Sequence, residues 1–155
     1  MNGPPLQRIW AQHVELHRHV RALADWANGS DHVATVETAR KLIGEVAAIL
    51  PHHFALEEEG GYFADVLAVA PALAPRAEAL RAHHHQLVPL VDGLLRDIEH
   101  TLPPDLEAFA ARVADVIVQI ESHEAGENAL VRDAFSHLGR TDAQRSTHGR
   151  TPQHR

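Results

Sequence analysis

The sequence predicts an all-α chain folded as an antiparallel up-down-up-down four-helix bundle. Three observations lead there. Apolar residues recur at alternating steps of three and four along four long stretches, the period of helices that bury one face. The breaks between these stretches are short and rich in Asn, Gly, Ser and Pro. Short connections between long helices make neighbours antiparallel. No stretch shows sustained apolar–polar alternation, and no Asn-Gly or Asp-Gly turn stands between β-branched runs.

The first stripe is Leu6, Ile9, His13, Leu16, Val20, Leu23 and Ala27, and it stops at Asn28-Gly29-Ser30. Ser30 or Asp31 suits the N-cap of the next helix. That helix carries Ala39, Leu42, Val46, Leu50 and Phe54 and runs to about Glu59, with Pro51 inside it and Gly60-Gly61 behind it. A Pro-containing stretch from Ala70 to Pro75 leads into the third stripe, Ala77, Leu80, His84, Leu87, Val91, Leu94 and Ile98. Pro51 and Pro89 both predict local kinks. Thr101-Leu102-Pro103-Pro104 is the next break, with Pro suited to a first helical turn. The fourth stripe is Val113, Val116, Ile120, His123, Glu127, Leu130 and Ala134. Residues 1–138 are thus expected to form the bundle. Residues 139–155, polar, apolar-poor and basic, are expected to be a disordered tail.

Composition narrows the function. The chain has 155 residues, enough for one domain with a real core. Its formal charge of −7 argues against nucleic acid or an anionic membrane as the main partner. It has no Cys, which excludes disulfides, thiolate zinc sites, iron–sulfur clusters and a cysteine nucleophile. No apolar run approaches the ~20 residues of a membrane span. The start, MNGPPLQRIW, lacks the basic and apolar regions of a signal peptide, and a cytoplasmic location is expected. There is no Gly-rich phosphate loop and no GxSxG elbow. Against this background 14 His is an outlying number.

The histidines sit where leucines belong. His13 is in phase with Ile9 and Leu16, and His84 with Leu80 and Leu87. His53 follows Leu50 by three and precedes Glu57 by four; His123 follows Ile120 by three and precedes Glu127 by four. Residues four apart share a helix face. Two helices therefore aim an imidazole and a carboxylate inward, and two aim an imidazole alone. An unpaired buried polar group costs roughly 2–7 kcal/mol, and a lone carboxylate more. Metal ions satisfy such a set together, since neutral imidazole and carboxylate are ligands and the ion offsets the negative charge. Six ligands exceed one tetrahedral site, and two ions fit better than one. Counting back and forward from the breaks brings Glu57, His84 and His123 to within about a turn of one level at ~1.5 Å per residue. His13 fits that level less well, and His17, one turn nearer the loop, fits worse still.

These residues resemble the hemerythrin-like, or HHE cation-binding, family. The resemblance rests on His13, on HFALE (His53 to Glu57), on His84 within AHHHQL, and on HEAGE (His123 to Glu127), over roughly residues 6–136. A single HxxxE is a weak signal; the set His, HxxxE, His, HxxxE in that order, each in phase with a core stripe, is a strong one. The resemblance implies a four-helix bundle around a non-haem di-iron centre, oxo- or hydroxo-bridged, with zinc as the alternative ion. His13, His53, His84 and His123 would be terminal ligands, and Glu57 and Glu127 would bridge. It implies binding or sensing of a small ligand (oxygen, nitric oxide) or of iron. The alternative is an enzyme that decomposes peroxide or oxidises a small molecule. The oxygen carriers of the family have a further His where this chain has Val88, and a longer His-to-Asp spacing on the last helix. Four imidazoles instead of five imply more open coordination, suited to a second exogenous ligand. Around this set, His17 is the alternative to His13, Glu58 is a candidate for the edge of the site, and Tyr62 for a hydrogen bond near it. Gly126 suits either close packing or ligand access. His52 is expected to face out.

Overall fold

The computed structural model describes residues 5–32, 35–100 and 103–147, with side chains from Ile9 to Ser136. Helices α1 (Pro5–Ala27), α2 (Val36–Glu59), α4 (Ala74–His100) and α5 (Leu106–Thr147) form the bundle. A short helix, α3 (Tyr62–Val69), and a single 3-10 turn, Pro71–Leu73, join α2 to α4. No strand occurs among the described residues.

Contacts at both ends of each neighbouring pair give the helix directions. His13 of α1 meets Glu57 near the end of α2, while Trp26 at the end of α1 bonds Thr35 just before α2. Arg40 of α2 donates to the Ile98 carbonyl near the end of α4, while His84 reaches Glu58. Arg76 and Asp97 of α4 pair with Asp133 and Arg112 of α5. Each pair is traversed in opposite directions, so consecutive long helices run antiparallel.

The apolar stripes become two hydrophobic clusters separated along the bundle axis. The larger holds Leu16, Val20, Leu23, Ile43, Val46, Leu50, Leu87, Val91, Leu94, Ile98, Phe109 and Ile120 among others. The smaller holds Ile9, Tyr62, Phe63, Val66, Ala77, Leu130 and Ala134. Between them lie His53, Glu57, His84, His123 and Glu127, all buried. α3 closes this end of the bundle by burying Tyr62, Phe63 and Val66. It starts where Gly61 takes a left-handed φ of 93°. A side chain at that φ would be strained. At Gly60 a Cβ would collide with the Leu56 carbonyl, so the reversal after α2 requires both glycines.

Three expectations need correction, and one element, α3 between Gly61 and Ala70, was not anticipated. The core position on α2 is Ile43 and not Leu42, which is only half-buried. The helix there begins at Val36, not after Ser30 or Asp31; the Thr35 hydroxyl, which accepts from Trp26 Nε1 and donates to the Asp31 carbonyl, makes no side-chain cap. The last helix continues to Thr147 instead of ending before 139. A lack of apolar residues removes burial but not helix propensity, and Arg140, Ala143, Gln144 and Arg145 are good helix formers. Residues 148–155, the remainder of the expected tail, lie outside the described residues, as does the side chain of Leu6. Both α2 and α4 remain helical through Pro51 and Pro89, which lie on exposed faces.

Candidate metal centre

All six residues singled out by the sequence converge in one place. His13 comes from α1, His53 and Glu57 from α2, His84 from α4, and His123 and Glu127 from α5. Five are at most 3% exposed; His13 is the exception, with a side chain 18% exposed.

The contacts divide the imidazoles into two pairs with the carboxylates between them. Glu57 Oε1 lies 3.0 Å from both His13 Nε2 and His53 Nε2, while Glu57 Oε2 lies 3.4 Å from His84 Nε2. Glu127 Oε1 lies 2.9 Å from His123 Nε2 and 3.6 Å from His84 Nε2, while its Oε2 lies 3.6 Å from His13 Nε2. Each carboxylate thus turns one oxygen to each imidazole pair. Ligand atoms of His13, His53, Glu57 and Glu127 lie within 4.8 Å of one another, and so do those of Glu57, His84, His123 and Glu127.

Many of these atoms are close without being bonded to each other. His53 Nε2, Glu57 Oε2 and both Glu127 oxygens are buried and make no hydrogen bond, despite neighbours at 2.9–3.6 Å. They aim past one another toward common points. Buried polar atoms left in this state are costly, and each calls for a partner. Two ligand atoms at ~2.1 Å from one cation sit ~3.0 Å apart at a right angle and ~3.4 Å apart at a tetrahedral one. The separations above, 2.9–3.6 Å, bracket that range. The His84 Nε2 to His123 Nε2 distance of 3.0 Å does so as well. The donor set, imidazole nitrogen and carboxylate oxygen, therefore fits metal cations.

Neighbouring side chains fix the rings. Phe54 stacks on His84 with centroids 3.9 Å apart and planes 8° from parallel, and its ring lies 5.2 Å from that of His123 and 5.8 Å from that of His53. His84 Nδ1 hydrogen-bonds Glu58 Oε1 at 2.6 Å. Tyr62 donates to the Glu127 backbone carbonyl at 3.3 Å, so it braces α5 rather than entering the site. Burial, reinforced by the charges of Glu127 and Glu57, raises its pKa and keeps it neutral.

His17 stays outside. Its side chain is 51% exposed and lies 3.7 Å from Glu124. His13 is therefore the α1 member of the cluster. Glu124 is a group the sequence reading missed. Burial raises its pKa, and Oε1 has no hydrogen-bond partner. Trp10, His13, Val14, His17, Glu124 and Asn128 line a surface cleft of about 270 Å³ on this side. At Gly126 a Cβ would stand 3.1 Å from Leu80 Cδ2, so the glycine permits close packing of α4 on α5. His52 is exposed as expected.

The charges give the metal-free chain a distinctive pH response. Burial lowers the His84 pKa, but Glu127, Glu57 and Glu58 outweigh it and hold it at about 9, above an ordinary 6.5. Burial raises the Glu57 pKa, but His13, His53 and His84 outweigh it and bring it below the ordinary 4.5. The raised His84 contributes stability below pH 6.5 that is lost as pH rises through about 9. The lowered Glu57 contributes stability above pH 4.5 that is lost on acidification. Chelator-treated protein is therefore expected to lose thermal stability from pH 6.5 to 9. Metal-loaded protein is expected to hold or gain over the same interval, since cations need neutral imidazole. Melting curves with and without chelator check this, and parallel pH profiles would contradict it.

No helix among the described residues is long and apolar enough to cross a membrane. No curated protein and no solved structure matches the chain at a significant level. A family model does match, the hemerythrin HHE cation-binding domain, over residues 4–134. That span holds all four bundle helices' contributions to the cluster, and on it the chain belongs to the hemerythrin HHE cation-binding domain family.

Proposed function

We propose that this chain is a cytoplasmic non-haem di-iron protein that binds or senses a small ligand, oxygen or nitric oxide, or iron itself. One observation carries the reading: each buried carboxylate turns its two oxygens to different imidazole pairs, as a bridge between two cations requires. Two imidazoles and two carboxylate oxygens per ion leave positions open, and nitrogen–oxygen sets with open positions suit non-haem iron. Bound iron would supply a place for a small exogenous ligand and one- or two-electron redox chemistry.

The chain's own residues supply the rest. Glu57 and Glu127 balance cationic charge in a core that otherwise excludes it. The two hydrophobic clusters keep water from the centre along the bundle axis. The cleft lined by His13, the most exposed of the six residues, offers a small molecule a way in. Glu124 at that cleft favours a second reading, an enzyme that decomposes peroxide, because a carboxyl on the open side can hold a proton where a substrate would enter.

Adding oxygen, nitric oxide or peroxide separately to anaerobic, ferrous-loaded protein tests the proposal. A stoichiometric spectral change with oxygen or nitric oxide, without sustained peroxide consumption, is expected. Sustained consumption would establish the second reading, and silence toward all three would overturn both.

A further inference from the structure

Glu58 stands outside the six-residue cluster, yet it makes the shortest contact to any of the four imidazoles. Its Oε1 lies 2.6 Å from His84 Nδ1, and its side chain is one-third exposed while His84 is 2% exposed. The outer nitrogens of His53 and His123 are buried and have no hydrogen-bond partner. Of the two imidazole pairs, His84 with His123 has a carboxylate hydrogen-bonded to an outer ring nitrogen; His53 Nδ1 has no partner, and His13 meets Glu57 and Glu127 through its inward Nε2.

A carboxylate accepting from Nδ1–H fixes which nitrogen carries the proton. Nε2 is then left with its lone pair facing inward, toward His123 Nε2 at 3.0 Å. The same hydrogen bond makes the imidazole more basic and holds its plane. Phe54, stacked on the face of the ring, keeps it from turning away.

We propose that Glu58 is a positioning residue that makes the two halves of the centre unequal, the His84–His123 half holding its cation more tightly than the His13–His53 half. This rests on the two-cation reading above. The sequence places Glu58 only at the edge of the site, because it follows Glu57 by one residue and falls off the inward face of α2; its hydrogen bond to His84 comes from the packing of α4.

The test uses the full chain, stripped of metal and titrated anaerobically with ferrous iron, in wild type, Glu58→Gln and Glu58→Ala. Outer partners of metal-bound imidazole are typically worth ~10–100-fold in affinity. The Ala variant is expected to lose that much for one iron equivalent while the other binds as in wild type. Gln, which still accepts a hydrogen bond but carries no charge, is expected to fall between. Equal weakening of both equivalents would mean a general structural effect, and unchanged binding of both would mean no role; either overturns the proposal. Thermal melts of the metal-free variants check that the fold persists. Wild type binding a single iron would defeat the two-cation reading and, with it, the inequality. In that case weakening of that one iron by Glu58→Ala would still show Glu58 positioning His84.

Discussion

Glu57→Ala is expected to abolish metal binding in both halves of the centre at once. Glu57 is fully buried, and its two oxygens face three imidazoles: His13 and His53 through Oε1, His84 through Oε2. Its removal leaves each half short of an anionic ligand. The loss should exceed the ~10–100-fold that a mere outer partner contributes. His13→Ala, which strips one terminal imidazole from one half, is expected to weaken one equivalent and spare much of the other. Metal content after desalting, compared between the two variants, measures the difference. A Glu57→Ala protein that retained one tightly bound cation would show that the carboxylate is not shared.

Phe54→Ala is expected to have the largest effect on stability among single changes near the site. Phe54 is 4% exposed, belongs to the larger hydrophobic cluster and packs against the rings of His53, His84 and His123. Truncating a buried Phe costs roughly 3–5 kcal/mol. For a chain of this length that is a fall in Tm of roughly 6–20 °C. Phe54→Leu conserves most of the volume and should cost less than ~1.5 kcal/mol, yet it removes the flat surface against His84. Metal affinity should therefore fall in both variants, while stability falls sharply only in the first. Denaturant melts of the metal-free proteins alongside iron titrations separate the two effects. Equal affinity in Phe54→Leu and wild type would show that the stacking does not hold the ligand.

The cluster was legible because it violates the rule that makes the fold legible. An apolar stripe at helical spacing names the buried face, and His13, His53, His84 and His123 stand on that face, His53 and His123 each with a carboxylate one turn on. The choice of His13 over His17 followed from the same phase, and the structure leaves His17 at the surface. What lay hidden depends on tertiary approach. Glu124 follows a cluster residue by one and points off the predicted face, so only the packing of α1 on α5 brings it into play; Glu58, placed beforehand at the edge of the site, gets its partner His84 from the packing of α4 on α2. α3 was signalled, in retrospect, by Tyr62, Phe63, Val66 and Leu67 at helical spacing between Gly61 and Pro71. Its few residues are too short to register against the long stripes. The start of α2 shifted because Thr35 bonds Trp26, a contact that no local capping pattern encodes.

Six side chains from four helices are proposed to hold two cations. Metal analysis of the purified protein together with its visible spectrum tests it most directly. Two iron ions per chain, with near-ultraviolet charge-transfer bands, are predicted; a single zinc, or no metal at all, would contradict the account.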